Sequence, residues 1–372
     1  MKLSLSHLAV LPLALAAKTC TDNGPQDPAP YKLTVTADSE PLAKLSEIFA
    51  AAGKNVSISD VLDSGNRDMT SSTPSIGNGN PVVHLAWNSG DVGTEKWLPQ
   101  GITSSADGDA SGKWEGRESW IVSWHQDDDS NARVSFIDRE TNKYRHVYLV
   151  RPDDDSFGSV NVHAGGIAWY GPYLYIVDTG VGIRVFDLTN IWEVEIGDGL
   201  GKQSDGTYVA ENYRYVLPQL HYYRFSSTDG SSFRHSYISL DRSDDPPTLM
   251  VGEYQTEDST VDIRFVKYPL NPETSRLATD DEGVVGASEA YCSNFLRVQG
   301  AFALDGKIII SRSNGGSTGG DMFNWTPGSA ATSHIGWFPP GNEDLSYNPV
   351  RKEWYTVTEH PGTRYIVGYD SF

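Results

Sequence analysis

The sequence predicts an all-β fold, a β-propeller for which five blades are favoured, behind a short N-terminal extension that contains a helix. Three observations lead to this prediction. From Val82 onwards, short runs rich in Val, Ile, Tyr, Phe and Trp alternate with Gly, Asp, Asn or Pro, a texture typical of about twenty strands joined by turns. No long amphipathic helix interrupts these runs, and one strand-turn-strand pattern recurs along the chain.

The recurring pattern is clearest at residues 162–178, where a small glycine-rich strand and an apolar strand flank a tight turn. Five copies align, at Gln100-Gly101-Ile102, Gly165-Gly166-Ile167, His235-Ser236-Tyr237, Gln299-Gly300-Ala301 and Glu343-Asp344-Leu345. Their middle residues lie 65, 70, 64 and 44 positions apart, and each long interval holds four strands. Radially repeated four-stranded sheets are propeller blades, and the glycines suit inner strands crowded around a channel. Six or seven blades, or a β-sandwich with coincidental spacing, are the alternatives.

In chain order, residues 1–17 have one basic residue, a short apolar run and an alanine-rich end, the pattern of a secretory signal peptide. Residues 18–80 form the N-terminal extension. It contains a linker, a strand from Tyr31, one helix that starts near Asp38 or Ser39, and a polar loop after residue 63. Residues 81–372 form the propeller. The last copy has room for only three strands, so Val82–Trp87 is expected to complete that blade.

Charge and cysteine usage limit the partners and the compartment. The net charge of -20 disfavours nucleic acid as a partner. The predicted signal peptide, with no later stretch apolar for long enough to span a membrane, indicates a secreted, extracellular protein. We expect it to be a monomer. In an oxidising compartment the only cysteines, Cys20 and Cys292, are expected to pair, with two free thiols as the alternative. Asn55 and Asn324 begin glycosylation sequons.

The propeller prediction brings two sets of residues to one mouth of the channel, because inner strands begin there and second strands return there. The residues that lead into the inner strands are Gln100, His163, Arg234, His235, Arg297, Gln299 and Glu343. The residues that follow the second strands are His125, Asp178, Gln255, Arg312, Asn314, Glu359 and His360. Four of the nine histidines fall in these sets, which favours a chemical site over a structural rim.

Each of these residues also has a structural interpretation. His163 could hydrogen-bond the neighbouring blade, Arg297 and Arg312 could be ion-pair partners, and His125 and His360 could be solvated. The acidic runs at 127–129 and 153–155 are typical of solvated turns. Calcium binding is the minority interpretation, because the spacing of a calcium loop is missing. We therefore predict no metal site and no cofactor, with Ca²⁺ as the one alternative.

Three stretches resemble secreted propeller proteins of fungi and actinobacteria, and in particular polysaccharide lyase family 42, the L-rhamnose-α-1,4-D-glucuronate lyases. They are residues 97–102, 163–171 and 183–188, and the resemblance spans roughly residues 80–372. It implies a site on one propeller face with His163 and Tyr208 as catalytic residues and Arg224 and Arg297 as substrate-binding residues. One departure is the blade number, since that family is associated with seven blades.

The sequence thus predicts a carbohydrate-active enzyme of polysaccharide degradation, a lyase that cleaves the bond to a uronate by β-elimination. The expected substrate-binding residues are Arg224, Arg297, Arg312, His125, Gln100, Gln299, His235, Glu343 and His360. Two alternatives stay open. One is a non-catalytic, lectin-like propeller, and the other is a glycoside hydrolase that uses carboxylates such as Glu343, Glu359 or Asp178.

Overall fold

Five four-stranded antiparallel sheets form a ring in a computed structural model that describes Cys20 and residues 23–370. From the inner to the outer strand, blade I comprises Trp97–Ser104, Ser119–Gln126, Ala132–Asp138 and Lys143–Asp153. Blade II comprises Ile167–Tyr170, Tyr173–Asp178, Gly182–Asp187 and Tyr215–Ser227. Blade III comprises Tyr237–Asp241, Thr248–Gly252, Ile263–Asn271 and Glu289–Ser293. Blade IV comprises Val298–Leu304, Lys307–Arg312, Gly320–Trp325 and Thr332–Phe338. Blade V comprises Asn342–Asn348, Glu353–Thr358, Tyr365–Tyr369 and Val83–Ala86.

This arrangement confirms the all-β propeller with five blades. Each inner strand packs beside the inner strand of the next blade, and the ring closes between blades V and I. The closing strand is Val83–Ala86, which pairs with Tyr365–Tyr369, as expected from the missing strand of the last copy. The outer strands of blades I and II also pair in parallel, which joins these two blades into one larger sheet.

The glycines of the repeat lie where neighbouring inner strands approach most closely. A Cβ atom on Gly101 would lie 2.8 Å from the backbone nitrogen of Ile167, and one on Gly166 would lie 2.6 Å from Cα of Tyr237. A Cβ on Gly300 would meet the backbone of blade V at 2.6 Å. Because backbone atoms cannot move aside as a side chain can, only glycine fits at these points.

Apolar clusters fill all five gaps between the blades. Tyr237 and Phe265 of blade III, for example, pack with Ile310 of blade IV, and Trp354 of blade V packs with Phe302 of blade IV. The other clusters lie between blades V and I, I and II, and II and III. Burial of these aromatic and branched side chains is the main stabilising contribution, at roughly 1.5–3 kcal/mol for each large side chain.

Serine hydroxyl groups on second strands tie adjacent blades together at the channel. Oγ of Ser123 accepts a hydrogen bond from the Gly101 amide at 2.9 Å and donates to the Ala164 carbonyl of blade II at 2.8 Å. Ser311 links blades IV and V in the same way, because its Oγ donates a hydrogen bond to the Glu343 carbonyl at 3.0 Å. The segments that lead into the inner strands of blades II and V are thereby fixed.

The N-terminal extension contains the predicted helix at Glu40–Ala51, whose cap Ser39 accepts a hydrogen bond from the Leu42 amide at 3.3 Å. The expectation of a single helix is wrong, because a second helix spans Ile58–Asp63. Ser57 and Asp60 cap it reciprocally, and its six residues are too few to give a periodic signal in the sequence. Two further short helices lie outside the extension, at Ser89–Gly93 and Ser105–Gly108.

The remaining strands are short additions at the edges of the blades or near them. They are Pro25–Gln26, Tyr31–Val35, Asn55–Val56, Arg67–Asp68, Thr70–Ser71, Ser156–Ser159, Ile191–Glu193, Leu200–Lys202, Tyr208–Ala210, Arg276–Leu277 and Val284–Gly286. Two of them fall in the segment after residue 63 that was expected to be a loop. They pair with the outer strands of blades I and V, which supply edges that the local sequence does not reveal.

The predicted disulfide joins Cys20 to Cys292 of blade III. Of the two sequon asparagines, Asn55 is exposed and Asn324 is half-buried in a strand of blade IV. No helix within the described residues has the length and apolar character needed to cross a membrane. The signal peptide predicted at residues 1–17 lies outside the described residues.

Candidate functional site

Three inner strands carry an irregularity at the same place. The pairing register of blades I, IV and V shifts at Gln100, Gln299 and Glu343. A bulge takes a residue out of the ladder and re-aims its side chain. Gln100 and Gln299 thereby reach the channel mouth from which the inner strands start, and Glu343 lies buried just beneath it.

A cavity of about 250 Å³ opens at this mouth. We call it the channel-mouth cavity, and its lining residues are Gln100, His163, Gly165, Thr179, Arg234, Ser236, Tyr254, Gln299 and Glu359. All five blades contribute to it. Its amide, hydroxyl, carboxyl and guanidinium groups suit a ligand with many oxygen atoms. Its size, below the roughly 300–1,000 Å³ typical of drug-sized ligands, suits a single sugar unit or the end of a chain.

Two carboxyl groups meet at the edge of this cavity. Glu343 and Glu359 share a hydrogen bond, Gln299 donates from Nε2 to Oε1 of Glu343 at 3.1 Å, and Gln100 donates from Nε2 to Oε2 of Glu359 at 2.7 Å. Burial raises the pKa of Glu343 well above its usual range, and the negative charges of Glu359 and Asp344 raise it further. Burial and its acidic neighbours therefore favour the protonated form of Glu343, which can donate a hydrogen bond to the Glu359 carboxylate.

The opposite wall of the cavity carries a cation and two groups that can transfer a proton. The Arg234 side chain is exposed, makes no ion pair with any described residue, and lies 5.5 Å from the ring centroid of the half-buried Tyr254. The His163 side chain is 45 % exposed, and its Nδ1 lies 3.0 Å from Oδ1 of Asp129. The Cδ2 edge of the His163 ring is directed toward Gly165, because a Cβ atom added to that glycine would lie 3.6 Å from Cδ2. Gly165 lines the cavity, so this edge of the ring faces it.

Behind His163 lies His125, whose ring centroid is 4.0 Å from that of His163. His125 is 4 % exposed, and burial, with the neighbouring His163, lowers its pKa to about 4. Its Nδ1 lies 2.6 Å from Oδ1 of Asp129, although the approach is outside hydrogen-bond geometry. The potential ligand atoms of His125, Asp129 and His163 all lie within 4.8 Å of one another, close enough to hold a cation.

The structure thus brings together eight of the residues expected at the channel mouth. Five line the cavity, namely Gln100, His163, Arg234, Gln299 and Glu359. Glu343 lies buried beside Glu359, and His125 packs against His163. His360 lies beside the carboxyl pair, with its Nε2 3.6 Å from Oε1 of Glu359.

Two expected arginines stand next to the site but have other partners. Arg297 lies 3.3 Å from a carboxylate oxygen of Glu257 and donates to Oδ1 of Asn314 at 2.8 Å. Arg312 is paired with the buried Asp321. Neither lines the channel-mouth cavity, so the structure favours the ion-pair interpretation of both residues.

The expectation that His235 faces the site is corrected. His235 is 1 % exposed and packs against Phe225 and Phe233, and burial lowers its pKa to about 3, so it is neutral at physiological pH. Its neighbours Arg234 and Ser236 line the cavity instead. Successive side chains of an extended segment point to opposite sides, so Arg234, which was also expected at the mouth, faces the cavity and His235 does not.

Arg224 and Tyr208 also lie away from His163, contrary to the expectation drawn from the family resemblance. Arg224 is exposed on the outer strand of blade II, where its guanidinium lies over Tyr222. Tyr208 packs with Phe157 and donates to the Asp155 carbonyl at 2.9 Å. The groups that do converge with His163 are Arg234 and Tyr254.

Sequence reasoning missed Tyr254, Thr179, Ser236 and Asp129. Tyr254 follows the second strand of blade III as Glu359 follows that of blade V, and that position in the repeat was the available signal. Asp129 lay in an acidic run interpreted as a solvated turn, and its contacts with two histidines depend on the fold.

No protein-family model and no curated protein matches this chain. Among solved structures, it is similar to a GH43_1 enzyme from Xanthomonas citri, with 11% identity over 84% of this chain and 92% of that one and a TM-score of 0.36. The β-propeller domain of Myceliophteria thermophila Cps50 (Swd1) is similar at 10% identity over 79% of this chain and 99% of that one, with a TM-score of 0.39. A thermostable family-43 glycoside hydrolase is similar at 11% identity over 79% and 91% of the two chains, with a TM-score of 0.35. TM-scores this low carry no argument about what this chain does.

Proposed function

We propose that this protein is a carbohydrate-active lyase that cleaves the glycosidic bond to a uronate by β-elimination in the channel-mouth cavity. The observation that carries the proposal is the convergence of the unpaired Arg234 guanidinium with the His163 imidazole and the Tyr254 phenol in one cavity. In a chain with a net charge of -20, a cation without a carboxylate partner is available to an anionic ligand.

The reaction needs three things from the protein. One group removes the proton from the carbon next to the uronate carboxylate, and the electrons of that bond form a carbon–carbon double bond as the glycosidic C–O bond breaks. A second group protonates the leaving oxygen, so that no water is consumed. A cation stabilises the negative charge that develops on the carboxylate. His163 and Tyr254 supply the two proton-transfer groups, and Arg234 supplies the cation.

The remaining polar groups of the cavity suit the sugar hydroxyls. The Glu359 carboxylate can accept hydrogen bonds, and the Gln100 and Gln299 amides can both donate and accept them. Tyr254 adds an aromatic surface on which a sugar ring can stack. The Cys20–Cys292 disulfide supports an oxidising compartment, and we propose that the enzyme acts outside the cell.

A glycoside hydrolase is the second candidate, because Glu343 and Glu359 form a carboxyl pair at the same mouth. The catalytic carboxyls of such enzymes stand about 5–9.5 Å apart to admit a sugar carbon or a water. Here the two carboxyls share a hydrogen bond, so one of them cannot act as an independent base while the other holds the proton. This geometry favours the lyase.

The test is product analysis with a panel of uronate-containing oligosaccharides. A lyase creates a conjugated double bond that absorbs in the ultraviolet, and its products together weigh as much as the substrate. Tyr254→Phe and His163→Ala should each lower kcat by about 10²–10⁴-fold, the usual contribution of a general acid or base. Tyr208→Phe is the matched control outside the cavity and should retain wild-type kcat.

Each competing function predicts a different result. A hydrolase releases reducing sugar without the chromophore, adds one water to the products, and loses activity on Glu343→Gln or Glu359→Gln. A lectin-like propeller releases no product and binds glycans even with His163→Ala. Absence of the double bond with every uronate-containing substrate would refute the lyase.

A further inference from the structure

We infer that His125, Asp129 and His163 form a binding site for a divalent transition-metal cation of the Zn²⁺ type on the rim of the channel-mouth cavity. The site joins the end of the second strand of blade I, the turn after it, and the segment that leads into blade II. It departs from the sequence expectation of no metal.

The ligand atoms already converge on one point. Nδ1 of His125 and Nδ1 of His163 lie 2.6 Å and 3.0 Å from the same oxygen, Oδ1 of Asp129. Both histidines therefore present a ring nitrogen to one carboxylate oxygen, with their rings 4.0 Å apart. A cation bonded to all three atoms at about 2.0–2.2 Å requires only small side-chain rotations.

The second observation is the state of the buried histidine. His125 is 4 % exposed, its Nε2 has no hydrogen-bond partner among the described residues, and its Nδ1 lies 2.6 Å from Oδ1 of Asp129 outside hydrogen-bond geometry. A buried polar group without a partner destabilises the folded protein by about 1–3 kcal/mol, which a hydrogen-bonded structural histidine would avoid. Coordination through Nδ1 would give this buried nitrogen a partner.

The donor set selects the class of cation. Two imidazoles and one carboxylate are typical ligands of Zn²⁺ and related transition metals, whereas Ca²⁺ and Mg²⁺ prefer oxygen ligands throughout. Three protein ligands leave at least one coordination position for water or a ligand oxygen, as in catalytic rather than structural zinc sites. Asp129 is half-exposed at the surface, which gives the cation a path from solvent.

The experiment is a calorimetric titration of the metal-free full-length protein with Zn²⁺, without any sugar. We expect one Zn²⁺ per chain. Asp129→Asn and His163→Ala should each weaken binding by at least about tenfold, because loss of even an outer-shell partner weakens metal sites by 10–100-fold. His334→Ala is the control and should bind Zn²⁺ as the wild type does. It removes a histidine of blade IV that contacts Trp337 and is not one of the proposed ligands.

Zn²⁺ should also raise the melting temperature of the wild type and of His334→Ala, and not that of Asp129→Asn, whose substituted side chain is at the surface and leaves the core intact. Absence of stoichiometric binding, or wild-type affinity in Asp129→Asn and His163→Ala, overturns the site. Zn²⁺ binding without double-bond formation from any uronate supports the site and contradicts the lyase. Lyase activity without Zn²⁺ binding contradicts the metal site alone.

Discussion

Replacement of Glu343 by Gln should make the protein less sensitive to rising pH. The Glu343 carboxyl is fully buried, donates to Glu359 and accepts from Gln299, so it has the hydrogen-bonding pattern of a neutral acid. A glutamine of the same shape preserves both contacts, because its amide nitrogen donates to Glu359 and its oxygen accepts from Gln299. The substitution removes only the ability to ionise.

The sign and size of the effect follow from linkage. The pKa of Glu343 is raised in the folded protein, so its contribution to stability is complete below the pKa of the unfolded chain and is lost as pH rises toward the folded pKa. The loss is about 1.4 kcal/mol for each pH unit in that window. The wild type should therefore lose stability relative to Glu343→Gln as pH rises above the ordinary pKa of a glutamate side chain.

The assay is denaturant unfolding of both proteins at several pH values. A buried carboxyl such as Asp107, which is not among the groups that shift the pKa of Glu343, titrates in both proteins and cancels in the difference. Glu359→Gln is the companion variant. It removes the charge next to Glu343 and should reduce the pH dependence without abolishing it. Parallel loss of stability in wild type and Glu343→Gln would show that Glu343 ionises freely, and the shared proton would be refuted.

The remaining predictions concern blade packing and ligand binding. Gly166→Ala should destabilise the protein by about 1–3 kcal/mol, because the new Cβ atom would meet the backbone of blade III. Gly286→Ala is the control and should not destabilise the protein, because its new Cβ atom would meet no atom within 4 Å. Equal unfolding midpoints for the two variants would contradict the packing account. Ser123→Ala should cost about 2–4 kcal/mol in unfolding free energy because two buried hydrogen bonds are lost, one within blade I and one between blades I and II. Arg234→Gln should raise KM for an acidic glycan by about 10–100-fold in a kinetic assay, while Arg224→Gln, an exposed arginine that also lies over a tyrosine, should leave KM unchanged. Equal effects of the two arginine substitutions would mean that Arg234 does not meet the carboxylate.

The propeller could be predicted from the sequence because its strongest constraint is local. Gly101, Gly166 and Gly300 recur where inner strands touch, and a missing strand in the last copy required one from the N-terminal part. The alignment of the same copies placed Gln100, Gln299 and Glu343 at equivalent positions, and the bulges found there explain why Gln100 and Gln299 reach the channel mouth with Glu343 buried beneath it.

Arg234 was among the residues expected at the mouth, but its role as the free cation and the position of the phenol depend on contacts between distant segments. The sequence does not show that Arg234 faces the channel while the adjacent His235 is buried. The role of Asp129 depends on the approach of His163 from the next blade. The resemblance to a lyase family suggested an arginine and a tyrosine beside His163, but the fold brings Arg234 and Tyr254 there in place of Arg224 and Tyr208.

The most direct measurement is a crystal structure of Tyr254→Phe with a uronate-containing oligosaccharide. The substitution keeps the aromatic ring and slows turnover, so the intact sugar should stay bound. We predict that its carboxylate lies within hydrogen-bond distance of the Arg234 guanidinium, with the glycosidic oxygen near His163. A sugar bound elsewhere on the propeller, or one whose carboxylate points away from Arg234 in the channel-mouth cavity, would contradict the account.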